Sequence, residues 1–261
     1  MNKYQVFSQR LLVFSGHVPY RREVELQLQR MQTTAAGRNV LKFIGAGRKD
    51  VRILPFRPTN KEPVNAYARP DLSENYSNAY AKGAPLMMPL KIGNYDIMLP
   101  TAADYGTGRG ISTVVEYSPA TWLEVNRRAK VVRPGEGPAE VLIHELTHAM
   151  RMGHGIYYDF SVWNNMRMDN YEEFCSILVA NVYRSERGFT HMRLNHWGSD
   201  AMRLGATGAT YYAKYSDLID RWFSAQKDFC LAMASVNAKF NPFQAAAETL
   251  GLIAKAPGRT P

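Results

Sequence analysis

Two histidines and a glutamate fall within five consecutive positions of an otherwise apolar run, AEVLIHELTHAMRMGHG, residues 139–155. The chain has only six histidines, so their placement four apart, as His144 and His148, asks for a chemical reading. On a helix a four-residue step returns to the same face, and two imidazoles one turn apart can grip one metal ion. Glu145 lies about 100° further round the axis. There a carboxylate stands beside the ion without being needed as a ligand, able to hold a water molecule and take its proton. This HExxH spacing is the one that zinc-activated water chemistry requires.

Such a site needs a third protein donor. His154 lies six residues after His148 with Gly153 between them, which departs from the HExxHxxGxxH spacing, so it is not the expected ligand. A carboxylate on a second helix is the alternative, and NYEEFCSILVANVYRSERG, residues 170–188, offers one. Glu172 projects beside the apolar arc of Phe174, Cys175, Leu178 and Val182, whereas Glu173 projects toward Arg184. Glu172 is therefore the preferred ligand and Glu173 the alternative, with Glu186 a distant third. Ser176 is placed one turn on to support the ligand. An oxyanion partner is sought in HMRLNHWG, which offers His191, Arg193 and His196, or in Tyr157 and Tyr183. His196 is the preferred choice.

Gly137-Pro138 opens the motif helix, and Gly153 and Gly155 offer its stop. REVELQLQRMQTTAAG fits a helix ending near Gly37, although its alternation also permits a strand. Val40 to Ile44, Val51 to Pro55 and YDIMLP read as strands. Residues 57–100 are loop-like, with many Pro, Asn, Ser and Tyr, and a long irregular stretch of this kind is often functional. The glycines of YGTGRGISTVVEYSP lead into a strand, Ile111 to Tyr117. No Lys-Ser/Thr pair follows them, so they do not make a phosphate loop. Helices are expected over Tyr171 to Glu186, Tyr211 to Val236 and Phe243 to Ala254, the last capped by Asn241-Pro242.

The chain has 261 residues, 46% of them hydrophobic, 21% charged, with a formal charge of +9, ordinary for a folded globular protein. The basic residues are scattered, so a diffuse positive surface is expected and nucleic acid is not the expected partner. Two cysteines, Cys175 and Cys230, make no disulfide framework, and Cys175 reads as a buried free thiol. No run reaches transmembrane length, and the N-terminus lacks a signal-peptide pattern. Synthesis in the cytosol is expected, with any export by a route that uses no cleaved signal.

The order YGTGRGISTVVEYSP, VLIHELTHAMR, NYEEFCSILVANVYRSERG, MRLNHWG resembles the zincin-like effector metallopeptidases that bacterial pathogens deliver through secretion systems. The resemblance covers residues 38–200. It implies an α+β zincin-like fold with a small twisted sheet on the HExxH helix, and a single zinc ion held by His144, His148 and Glu172 or Glu173. Glu145 would be the catalytic base, and the strand at Ile111 to Tyr117 would border the cleft. It also implies a protein substrate, with a secretion apparatus, chaperone or immunity protein as further partners. TGRGIST departs from relatives, where an acidic residue often stands, and the helical region after residue 200 is longer. The expected organisation is an N-terminal segment, residues 1–37, a catalytic core, 38–200, and a helical extension, 201–261, packed on the same domain. Two competing readings remain at this stage: a catalytically silent zincin used as a binding module, and a basic nucleic-acid-binding protein.

Overall fold

Leu11, Val13, Val51 and Ile53 are buried while the residues between them are half-buried, the period-two pattern of strands with one face on a core. The computed structural model describes residues 4–58, 65–92, 95–129, 133–160, 170–194, 201–203 and 207–255. In order come β1 (Tyr4–Ser8), β2 (Leu11–Phe14), α1 (Val18–Gln32), α2 (Ala35–Ala46), β3 (Val51–Leu54) and β4 (Tyr67–Pro70). A 3-10 turn (Tyr76–Ala79) precedes β5 (Pro85–Ile92), β6 (Tyr95–Tyr105) and β7 (Thr113–Glu116). Then follow α3 (Pro119–Ala129), α4 (Pro138–Gly153), α5 (Tyr171–Glu186), β8 (His191–Arg193) and β9 (Ala201–Arg203). The last helices are α6 (Gly208–Ala225), α7 (Lys227–Ala234) and α8 (Pro242–Thr249).

The fold is α+β, a five-stranded mixed sheet packed against helices with a helical C-terminal part. The strand order is β1-β2-β3-β7-β4. The inner strands β2, β3 and β7 run parallel, and β1 and β4 close the edges antiparallel. α4 packs on β4 and β7. One hydrophobic cluster runs from Leu11 in β2 to Ala247 in α8 and takes in side chains of α1, α2, α4, α5, α6 and α7. No helix among the described residues is long and apolar enough to cross a membrane.

Three local expectations are corrected. Val40 to Ile44 belongs to α2 rather than to a strand. Its helix is started by Thr34, whose hydroxyl accepts from the Gly37 N–H at 3.1 Å. The Glu186 carboxylate also accepts from the amides of Ala35 and Ala36 at 2.6 and 3.0 Å, placing a negative charge on the positive end of the helix dipole. The strand expected at Ile111 to Tyr117 is β7, paired on both sides by β3 and β4, so it is interior; the edge belongs to β4, inside the stretch read as loop. The helix expected over Tyr211 to Val236 is divided at Gln226, whose backbone leaves the helical region (φ −151, ψ 62). Asn241 does cap α8, accepting from the Gln244 N–H at 3.2 Å, with Pro242 at its start.

The glycine turn before β7 is pressed against the end of α4. Gly110 has φ +76, and a Cβ there would sit 2.0 Å from the Gly153 carbonyl oxygen. The Ile111 N–H donates to the Met152 carbonyl at 3.1 Å. Gly110→Ala is expected to cost about 2–3 kcal/mol, from a left-handed backbone and a steric clash together. A lower urea midpoint at unchanged slope would report it; a midpoint equal to wild type would show that the turn swings clear.

Candidate metal centre

α4 and α5 are the two most buried helices among the described residues. From Pro138 to Met152 every residue of α4 is buried, and α5 is buried nearly throughout, as expected of helices surrounded by protein. Charged groups on such helices need partners. Glu140, near the start of α4, meets Arg184, near the end of α5, at 2.6 Å. Arg151, near the end of α4, meets Glu172, at the start of α5, with two bonds of 2.7 and 2.9 Å. The helices are therefore antiparallel, and a buried Arg–Glu clamp stands at each end. Each acid sits by a helix N-terminus and each arginine by a C-terminus, the arrangement the helix dipoles favour.

Between the clamps lie the donors. The Nε2 atoms of His144 and His148 are 3.2 Å apart. Glu173 brings one carboxylate oxygen to 3.2 Å from His144 Nε2 and the other to 3.3 Å from His148 Nε2. A tetrahedral ion with bonds of about 2.0–2.1 Å separates its donors by about 3.3 Å; the two imidazole nitrogens stand at about that spacing, and each carboxylate oxygen stands at it from one of them. This group, both imidazoles buried and Glu173 half-buried, could hold a metal ion.

The choice of Glu172 as ligand is corrected by this geometry. Glu172 faces inward, as its helical projection required, and is wholly buried, but its oxygens are taken by Arg151 and by the Tyr158 N–H at 2.7 Å. Glu173, one residue on, is the acid that reaches the histidines. Arg151 was the missed signal. It stands three residues after His148 and seven after His144, on the same face of α4, where a buried guanidinium demands a carboxylate of its own. Arg151 also donates to the Ile156 carbonyl at 3.1 Å and lies over the Trp222 ring, 4.7 Å from its centroid.

The remaining candidates divide. Glu145 is buried, with Oε1 4.0 Å from His144 Nε2, and the Ala68 backbone N–H of β4 faces its carboxyl. Tyr157 packs beside His148, ring centroids 6.5 Å apart. Arg193 is fixed at the end of β8, its backbone exchanging two 2.8 Å bonds with the Asn181 side chain. Its side chain lies against Gly135, and its charge acts on both Glu145 and Glu173. Ser176 is buried in α5. Tyr183 sits elsewhere, beside Arg187; His154 is bound to the Phe43 carbonyl; His191 is exposed; and Glu186 caps α2. His196 lies outside the described residues.

Burial pushes the His144 imidazole down to about 3, against the pull of Glu173, leaving it neutral as a ligand must be. Burial opposes charge on His148 too, but the Glu173 carboxylate and its hydrogen bond prevail and hold His148 up at about 9. Glu173 is held well below the usual range; burial works against its charge, and the two imidazoles outweigh it. In the metal-free protein a proton thus rests on His148, and an entering cation must expel it. Zinc affinity is expected to rise at least about tenfold per pH unit between pH 6 and 8, read by competition with a chromogenic chelator. An affinity independent of pH would contradict this proton inventory.

Glu145 is the other displaced group. Burial, only partly offset by His148, raises its carboxyl to about 8, close to the operating range of a proton-transfer group. The arrangement thus supplies three donors, a carboxyl poised near neutrality, and a neighbouring guanidinium. The buried group of His144, His148 and Glu173 is consistent with an HExxH-plus-Glu zincin-like site. No protein-family model matches this chain, and no curated protein matches it.

Proposed function

We propose that the protein is a zinc-dependent endopeptidase, a reading carried by the convergence of His144 Nε2, His148 Nε2 and a Glu173 carboxylate oxygen within 4.8 Å of one another. A zinc ion held by these three would act as a Lewis acid, acidifying water and polarising a carbonyl. Glu145 accepts the proton of the attacking water and later delivers it to the leaving amine, a role to which a carboxyl raised toward neutrality is suited. Arg193 contributes positive charge beside that carboxyl, where negative charge develops on the substrate oxygen. β4 supplies the substrate platform. It is an edge strand whose Ala68 amide faces Glu145, so an extended peptide added along it would run past the base.

We read the substrate as a protein of a target cell, and the chain as a secreted effector or toxin with secretion or immunity partners; the resemblance of its motif order supports this. Elemental analysis of purified protein tests the metal reading. One zinc per chain is expected in the wild type and none in His144→Ala or Glu173→Gln. Sequencing of new protein termini then identifies the cleaved bond. A wild type without zinc affinity would end the proposal.

A further inference from the structure

Where α2 and α4 end, a cleft of about 670 Å³ opens. Arg48, Lys49, Arg109 and His154 line it with the backbone of Gly47 and Gly108, and no acidic side chain is among the lining residues. One wall is the segment that leaves α2. The other is the glycine turn, held in place because Gly110 lies on Gly153, and a Cβ on Gly155 would meet the Gly108 carbonyl carbon at 2.5 Å. His154 ties the walls together, its Nε2 lying 2.8 Å from the Phe43 carbonyl. A carbonyl only accepts, so Nε2 carries the hydrogen. Arg109 is thus presented on a turn packed against the end of α4.

Two acids near this cleft, Glu74 and Asp50, are engaged in ion pairs. Glu74 pairs with Lys49 and accepts from the Ser112 N–H at 2.9 Å, and Asp50 pairs with Arg10 at 3.1 Å. No ion pair among the described residues takes up Arg48 or Arg109. Arg48, from the segment after α2, and Arg109, from the glycine turn, line one void, and a pair of guanidinium groups suits the oxygens of phosphoryl groups. The void falls within the about 300–1,000 Å³ typical of small-ligand sites. The absence of a Lys-Ser/Thr pair ruled out a phosphate loop built on helix amides, but it does not bear on capture by side-chain forks.

We propose that this cleft binds a diphosphate-bearing small molecule, one phosphoryl group held by Arg48 and the other by Arg109. The test is calorimetric titration of the full chain, stripped of metal by a chelator, with sodium pyrophosphate and with ADP at low salt. One saturable site is expected, weakened about tenfold or more in Arg48→Ala/Arg109→Ala and unchanged in His144→Ala, which separates the cleft from the metal centre. Both arginines are exposed, so an unchanged melting temperature should accompany the double variant. Tighter binding of ADP would assign a nucleotide, equal binding a free diphosphate, and either supports the site. No saturation below about 1 mM, a double variant within about twofold of wild type, or a hexaglutamate peptide binding as well as pyrophosphate would overturn it.

Discussion

On the proposed reading, Glu145→Gln is expected to leave one zinc per chain and to lower peptide hydrolysis by roughly 10²–10⁴-fold, the usual contribution of a positioned proton-transfer group. The same substitution should raise stability in the metal-free protein at neutral pH. The Glu145 carboxyl stands at about 8 in the fold, against 4.5 for its ordinary value. Between those limits the folded chain binds more protons than the unfolded chain, so stability falls as pH rises through that window. Glutamine fills the same space with no charge to desolvate and removes the slope. Activity lost with zinc retained and melting temperature raised is a signature that a merely structural glutamate would not give. Hydrolysis at wild-type rate would remove Glu145 from the chemistry.

The second large effect separates two adjacent acids. Glu172→Ala strands the buried Arg151 guanidinium and is expected to cost about 3–5 kcal/mol. Arg151→Met in the same chain should recover much of that loss, since neither charge is then left alone. Glu173→Gln is expected to abolish zinc binding; in the metal-free state it also removes the carboxylate that holds the proton on His148, so metal content rather than stability is its distinguishing readout. Chemical denaturation and metal analysis of the three variants give the answer. Equal stability of Glu172→Ala and wild type would mean that the clamp does not hold the helices.

How far the sequence reached is explained by where each signal resides. His144, Glu145 and His148 carry their relation within one helical turn, so spacing alone disclosed it. The third ligand depends on contact between helices. Projection correctly turned Glu172 inward, but inward is also where Arg151 points, and only the pairing across α4 and α5 decides which acid is left for the histidines. α2 was misread for a similar reason. NVLKFIG is short, apolar and β-branched at Val40 and Ile44, and the Glu186 carboxylate that favours its helical start lies about 150 residues away. The edge strand β4 is four residues ending in Pro70, too short and too polar in its surroundings to stand out. The break at Gln226 has neither glycine nor proline to announce it. The cap at Asn241 was legible because a cap is a local hydrogen bond.

The clamps at both ends of α4 and α5 carry a consequence for how the protein would acquire its ion. In small zinc-organised domains the cation supplies the folding energy, and removing it dissolves the structure. Here two oppositely placed Arg–Glu pairs and an extensive apolar interior already hold the imidazoles and the carboxylate in register. On the proposed reading, therefore, a bound ion would be exchangeable without dissolving the fold, because the scaffold that holds its donors does not rest on it.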